Sequence, residues 1–347
     1  MDGRDREPVS GRCDLCGGTD LSELYAPPDS RRGLRVFVCR RCALVQSLPR
    51  IERAEVRRVD SGAGAAWGNI RYGKGFRTAP ALSLLAGHVD AAALKRCLDI
   101  GSNRGSFVEA LRSVNDSVEI TAVEPDHTLV EPYRRLPGLT LHLCRFEDAP
   151  VGEGIFDLAY SCHTIEHVAS PAAVMKKTFA ALRPGGLLYV EAPRLDIIGG
   201  HDFVEEFFID KHLYHFTLST LERSCAAAGL ETVETAEDVE NVTVLCRRPL
   251  SGRVPAARLA DPDEVERVTA LVEGYGRGRE EAARAAARAA AYIGSLGPRR
   301  VAVWGGGRLF DCLVRMGGLD PSALCAVVDK HLGAYVKEVH GRPVLHP

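Results

Sequence analysis

The sequence predicts an α/β protein: a parallel sheet with helices on both faces, a small cysteine-stapled module before it and a second α/β unit after it. Three observations carry the expectation. Between residues 76 and 248, apolar runs of strand length alternate with helical patterns, which argues for parallel strands joined by helical crossovers. Ahead of them stand two CxxC pairs, "CDLC" and "CRRC". Behind them, "RRVAVWGGGRLFDCLVRMGGLDPSALCAVVDK" reads as a strand, a glycine turn, a helix and a second strand ending in Asp329.

Taken in order, residues 1–58 are short, turn-rich and basic. Cys13, Cys16, Cys39 and Cys42 are spaced as two knuckles with 22 residues between the pairs, a pattern that suits tetrahedral coordination of one Zn2+. Four thiolates leave no open position on the metal, so such a zinc is expected to be structural. Residues 59–75, "VDSGAGAAWGNIRYGKG", are Gly-rich and read as a connecting loop. The core, residues 76–248, offers the strands "CLDI" (97–100), "VEITAVE" (118–124), "LTLHL" (139–143), "FDLAYS" (156–161), "LLYVEAP" (187–193) and "VTVLC" (242–246). Helical stretches at 104–113, 127–135 and 171–183 lie between them, the last stopped by "RPGG". Pro249, Pro255 and Pro262 mark a linker, and the Ala-, Glu- and Arg-rich stretch up to residue 297 predicts one or two helices, with Gly274 to Gly278 as the place for a break. Residues 298–347 make the C-terminal unit.

Hydrophobic residues at 46% and charged residues at 26% are ordinary for a globular protein. The N-terminal "MDGRDREPVSGRC" has no apolar stretch, so no secretory signal is expected, and no apolar run approaches the roughly 18 residues of a membrane-spanning helix. The expectation is a cytoplasmic protein with no membrane partner. Eleven cysteines in such a chain argue against a disulfide framework, and the seven outside the CxxC pairs read as small core residues. The net charge of −2 conceals nine Arg against two Glu in residues 31–58. That patch suits phosphates, or equally a solvated face beside an anionic metal site.

The chemistry is expected at "RCLDIGSNRGSFVEAL", where a strand gives way to a turn and a helix. Glycines there let a ligand approach the backbone, and the following helix offers unpaired amides. Only Gly101 and Gly105 are present, so the G-x-G-x-x-G dinucleotide fingerprint is absent and a ligand with a carboxylate and a ribose fits better. Glu124, 23 residues after Gly101, ends the next strand and can accept both ribose hydroxyls. Glu147 or Asp148, after the third strand, can accept from an adenine amino group.

With "FDLAYSCHTIEHV" and "LRPGGLLYVEAP" following in order, these features resemble a class I S-adenosylmethionine-dependent methyltransferase over residues 76–248. The resemblance implies a Rossmann-like core that holds S-adenosylmethionine at Asp99, Gly101, Ser102, Asn103, Gly105 and Glu124, with His163 on a loop flanking the cofactor. The whole chain resembles the three-part sugar C-methyltransferases of deoxysugar pathways: a CxxC…CxxC module, a methyltransferase core, a helical linker and a Rossmann-like C-terminal half with "VAVWGGGR" at its turn. That implies a small-molecule acceptor, a nucleotide-linked sugar, which the C-terminal unit helps to hold. Pro347 closes that unit earlier than the family pattern, leaving its completeness open.

"HTIEH" (163–167) formally matches the H-x-x-E-H zinc-protease pattern, but it follows a sheet strand, whereas the protease needs both His on one helix face. In the sugar C-methyltransferases an Asn and a His four residues apart align with His163 and His167, which makes His167 a catalytic candidate. In "FIDKHLYHF" (208–216), His212 matches the last His of the family's Tyr-His-Glu-His run, while Ile209 replaces the Tyr and Lys211 the Glu. His212 is therefore the candidate base, Lys211 is placed to steady an enolate, and His215 reads as packing. Tyr72 and Lys74 are candidates to close over the substrate. Loss of the family's Tyr and Glu keeps O- or N-methyl transfer open. An RNA methyltransferase and a non-catalytic nucleotide-binding module are the other readings. The net charge and an aromatic content of 6% argue against nucleic acid, and intact Gly101, Gly105 and Glu124 against a decayed cofactor site.

Overall fold

The computed structural model describes residues 11–50, 77–129, 133, 136, 138–200, 203–250, 259–297 and 299–347. Tyr72 and Lys74 lie outside the described residues. The chain divides into two compact units, one of Met1–Ile197 with Asp210–Val268, the other of Ile198–Ile209 with Thr269–Pro347.

The first unit opens with the cysteine turns and three antiparallel strands, β1 (Leu21–Tyr25), β2 (Arg35–Cys39) and β3 (Val45–Leu48). Helix α1 (Thr78–Ala86) leads to β4 (Arg96–Ile100), α2 (Ser106–Val114), β5 (Glu119–Val123), β6 (Leu139–His142), β7 (Phe156–Cys162), α3 (Pro171–Ala181) and β8 (Leu182–Pro193). Ser170 caps α3 by accepting from the Ala173 amide, with Pro171 at the first helical turn, where its missing N–H costs nothing. A two-residue strand, β9 (Tyr214–His215), precedes α4 (Leu218–Ala227), β10 (Glu231–Glu237) and β11 (Asn241–Arg247).

The main sheet runs β10-β11-β8-β7-β4-β5-β6. Its five strands from β8 to β6 are parallel, and the apolar runs of β4, β5, β7 and β8 are largely buried, as in parallel sheets covered on both faces. The expected all-parallel sheet is in fact mixed: β11 pairs antiparallel with both β8 and β10. From β4 the chain builds outward through β5 and β6, then returns to lay β7 on the other side of β4. The C-terminal ends of β4 and β7 therefore flank the topological switch point, where α/β sheets open a ligand crevice. Where a helix was expected over 127–135, the described residues show a single-turn 3-10 helix at His127–Leu129.

The cysteine sheet is not a separate body. β9 pairs with β3, matching Val45 to His215 and Gln46 to Tyr214, and completes the order β1-β2-β3-β9. Cys13, Cys39, Cys42 and Leu44 share one apolar cluster with Leu98, Val190 and Phe216 of the core.

Of the one or two helices expected here, the chain forms one: α5 (Pro262–Ser295) is continuous through Gly274 and Gly278. The Phe203 ring lies where a Cβ on Gly278 would sit, 2.5 Å from its nearest atom, so glycine is required there for close packing. In the second unit Arg279, buried, pairs with Glu206 at 3.4 Å, and the Tyr275 hydroxyl accepts from the Phe207 amide at 2.8 Å. Strands β12 (Val301–Trp304), β13 (Leu324–Val328), β14 (Glu338–Val339) and β15 (Arg342–Leu345), with α6 (Arg308–Arg315) between the first two, form a small sheet of order β12-β13-β15-β14. Its first three neighbours in that order are parallel.

Candidate active site

The turn after β4 is built to bring backbone close to something. Gly101 has φ +74°, and a Cβ there would lie 2.0 Å from Thr164 Oγ1, on the loop after β7. Asn103 (φ +48°) and Gly105 (φ +75°) continue the left-handed path into α2. Tyr133 braces the turn by donating its hydroxyl to Ser102 Oγ at 2.7 Å.

Two buried carboxyls face this turn. Glu124, just past β5, accepts the Asn103 amide at 2.7 Å and the Asp126 amide at 2.8 Å, one on each oxygen, and each oxygen retains a second lone pair. Burial raises its pKa against the pull of those amides. Asp99, on β4, is 1% exposed; burial and the nearby Glu124 push its pKa up to about 8. Its Oδ2 has no hydrogen-bond partner among the described residues. A buried acid kept short of partners beside a glycine turn suits a ligand bringing a positive charge.

Glu147 and Asp148 occupy a 3-10 turn after β6 (Phe146–Asp148). Glu147 Oε1 accepts the Ala169 amide at 3.3 Å, while Asp148 is exposed.

The segment 163–167 is a turn and not a helix. Thr164 Oγ1 lies 3.2 Å from the Ile100 carbonyl, which ties this turn to the glycine bend. His163 (φ +49°) bonds through Nε2 to Asn241 Oδ1 at 2.7 Å, and burial lowers its pKa. His167 Nδ1 bonds the Lys211 carbonyl at 2.9 Å, and the Leu213 amide donates to the Glu166 carbonyl at 2.8 Å, so the 211–214 segment is bolted to this turn. The rings of His167 and His212 meet edge to face with centroids 4.8 Å apart. Burial first, then the neighbouring His167, His215, His163 and Lys211, hold His212 neutral by lowering its pKa well below the usual range. His215 is different: it is buried, bonds Ser47 Oγ at 3.0 Å and has its pKa pushed down to about 3 by burial, so it belongs to the packing of β9 on β3.

Glu166 carried no role in the sequence reading, because the H-x-x-E-H pattern was set aside as a whole. It is 1% exposed, and its Oε1 lies 3.6 Å from His163 Nδ1 and 3.5 Å from His167 Nε2. Glu191, near the end of β8, is likewise buried, but it accepts from the Tyr189 hydroxyl at 2.6 Å and the Cys162 thiol at 3.2 Å, with Arg77 at 3.7 Å.

The four cysteine sulfurs lie within 4.8 Å of one another, with Cys13 to Cys42 at 3.4 Å and Cys16 to Cys39 at 3.5 Å, and none is in a disulfide. Metal–thiolate bonds of about 2.3 Å in a tetrahedron put sulfurs roughly 3.8 Å apart, so the set has the dimensions of a four-thiolate metal centre.

Among known proteins, the chain is 29% identical over 129 residues to a tRNA U34 carboxymethyltransferase of Syntrophotalea carbinolica, covering 35% of this chain and 37% of that one. It is 30% identical over 121 residues to a trans-aconitate 2-methyltransferase of Delftia acidovorans, covering 34% and 44%. Each match thus spans less than half the relative's length. Among solved structures, it is similar to a Burkholderia thailandensis 1,6-didemethyltoxoflavin-N1-methyltransferase bound to S-adenosylhomocysteine, with TM-score 0.46, 18% identity, and coverage of 66% of this chain and 99% of that one. The family model described as a methyltransferase domain matches residues 76–235. That span holds the β4 turn, Glu124 and the 163–167 turn, which places them in the part of the chain that matches a methyltransferase domain.

Proposed function

We propose that this protein methylates a small molecule from S-adenosylmethionine, and that its acceptor is a carbon beside the ketone of a nucleotide-linked deoxysugar. The observation that carries the proposal is the His167–His212 ring contact, with His167 on the turn whose Thr164 meets the Gly101 bend. On this reading a neutral imidazole serves the cofactor crevice. The cysteine sheet before the core and the strand–turn–helix unit after it support the three-part architecture of the sugar enzymes.

The residues present fit the cofactor. The orphaned Asp99 carboxyl would hold its ammonium group, the free lone pairs of Glu124 its ribose hydroxyls, and the Gly101–Gly105 turn its carboxylate end. Bound S-adenosylmethionine supplies a methyl group on a sulfonium, ready for in-line displacement. The chain's own residues must align the acceptor, exclude water and make its carbon nucleophilic. His212, neutral at rest, takes the proton from the carbon beside the ketone. The Lys211 side chain steadies the negative charge that develops on the ketone oxygen. With His167 Nδ1 tied to the Lys211 carbonyl, His212 is the better placed base of the two.

We further infer that Cys13, Cys16, Cys39 and Cys42 hold one structural zinc. Its thiolates sit inside an apolar cluster shared with the core, so metal loss would loosen more than the N-terminal residues. Metal analysis of fresh protein should find one zinc per chain; less than half an equivalent, in protein never exposed to chelator, contradicts the assignment.

The function is tested by incubating the protein with S-adenosylmethionine and a panel of nucleotide-linked ketosugars, then weighing the products. A methylated sugar supports the proposal. Salt-sensitive RNA binding with methylated RNA and no methylated sugar replaces it with RNA as the acceptor.

A further inference from the structure

Among the described residues, Glu166 meets His163 and His167 without a hydrogen bond to either. Both Glu166 oxygens are buried without a hydrogen-bond partner among the described residues. The Lys211 carbonyl can only accept, so the 2.9 Å contact fixes a hydrogen on His167 Nδ1. A neutral His167 then presents the bare Nε2 lone pair to Glu166 Oε1, 3.5 Å away. His163 repeats the arrangement from the other side. Asn241 spends its Nδ2 hydrogens on the two Asp238 oxygens at 3.1 and 2.9 Å, which leaves its Oδ1 to accept from His163 Nε2 at 2.7 Å. His163 Nδ1, also bare, faces Glu166 Oε1 at 3.6 Å. Three acceptors converging on one buried point are costly, and a single hydrogen between two of them removes most of the cost.

We propose that Glu166 is a positioning residue for proton transfer: it and His167 share one proton, which fixes His167 as the polar support for the His212 ring. His167 then has hydrogens on both ring nitrogens and none to spare, so it cannot act as the base. The shared proton keeps the pair neutral overall, and His212 can take up the acceptor's proton without a bare cation beside it. When it does so, the carbon–hydrogen bond breaks, the electron pair stays on the acceptor as the enolate, and the proton rests on His212.

His212 lies in the same cluster, with donor atoms of Glu166, His167 and His212 within 4.8 Å of one another. His163, Lys211 and His215 act on His212 with the same sign, all disfavouring its charged form. Glu191 approaches His163 Nε2 at 3.6 Å, but it is already engaged by Tyr189, Cys162 and Arg77, and Arg77 acts on His163 in turn. Among the described residues, Glu166 is left as the carboxylate available to this pair.

The inference rests on His212 as base, yet its test does not need the acceptor. Nitrogen-15 NMR of labelled protein near neutral pH should show both His167 ring nitrogens protonated in the wild type. In Glu166→Gln, Nε2 should lose its proton while Nδ1 keeps its own. With an acceptor in hand, kcat should fall about 10- to 100-fold in Glu166→Gln with KM nearly unchanged, and Glu166→Asp should recover part of it. A bare Nε2 in the folded wild type overturns the proposal, as does more than a third of wild-type kcat in Glu166→Gln. So does a second equivalent of bound metal, beyond the cysteine site, that disappears in Glu166→Gln. If no sugar is methylated but the NMR pattern appears, the acceptor assignment fails and the Glu166–His167 pair stands.

Discussion

The chain makes the same device twice, a strand ending in a glycine turn that starts a helix, and only one copy is finished. After β4, Gly101 is pressed against Thr164 of a neighbouring loop, Tyr133 braces the turn, and the buried Asp99 and Glu124 lie beneath it. After β12, Gly305 has φ +97° with no atom within 4 Å of its would-be Cβ, and the adjacent Trp304 is 78% exposed. The acids differ in the same way. Asp329 accepts the amides of Gly306, His331 and Leu332 at 2.8–2.9 Å, and those bonds lower its pKa, whereas burial pushes Asp99 up to about 8. The sequence motif supplies a turn in both places. On the proposed reading, the first becomes a ligand site through the burial imposed by neighbouring strands, which leaves the Asp99 Oδ2 without a partner among the described residues.

Substitution at the two glycines should separate the copies most widely. Gly101→Val combines a positive φ with a clash at Thr164, so S-adenosylmethionine affinity by calorimetry should fall more than 100-fold. Gly305→Val meets strain alone, about 1–3 kcal/mol, and should leave that affinity unchanged. Equal effects at the two sites would break the comparison.

The acids come next. Glu124→Ala removes acceptors worth about 1.5–3 kcal/mol each when charged, so affinity should drop at least tenfold, while Asp329→Ala should lower the thermal midpoint and spare binding. Asp99 predicts a pH effect of known sign. Its folded pKa lies above its unfolded value, so the fold favours the protonated acid, and binding a cation must expel that proton. Affinity should therefore rise with pH up to about 8, by up to about tenfold per unit, with proton release seen by calorimetry in buffers of different ionisation heat. A flat profile that persists in Asp99→Asn would remove Asp99 from the site.

The last effect concerns stability and not binding, at His215, whose burial joins the cysteine sheet to the finished half. Its folded pKa, about 3, lies below the unfolded value of roughly 6.5, so its contribution is intact above pH 6.5 and is lost as pH falls toward 3. The loss should approach about 1.4 kcal/mol per pH unit, and His215→Gln should flatten it in denaturation at pH 7 and pH 5.

Much of the fold was legible because parallel strands buried on both faces leave apolar runs that composition alone exposes. β10, "ETVETAE", was not: it is an edge strand of largely exposed polar residues and has no apolar alternation to read. Whether α5 was one helix or two stayed open in the sequence, because Gly274 and Gly278 weaken a helix and the contacts that hold it, Gly278 on Phe203, Tyr275 on Phe207 and Arg279 on Glu206, come from a distant segment. β9 is two residues long, too short for any periodicity, yet it determines where the cysteine sheet attaches. In the site, the glycines and Glu124 announce themselves by spacing. Glu166 does not, since its significance lies in which nitrogens of His163 and His167 are already engaged, and that depends on Asn241 and Lys211, distant in sequence.

The central claim, methyl transfer to carbon by a base beside the β4 crevice, is tested most directly with S-adenosylmethionine carrying a carbon-13 methyl group and a panel of nucleotide-linked ketosugars. The account predicts a product whose labelled methyl is bonded to the carbon next to the ketone. It also predicts that His212→Ala binds the cofactor normally and forms that product 10²- to 10⁴-fold more slowly. A label found on oxygen or nitrogen, or undiminished turnover in His212→Ala with chemistry rate-limiting, would contradict it.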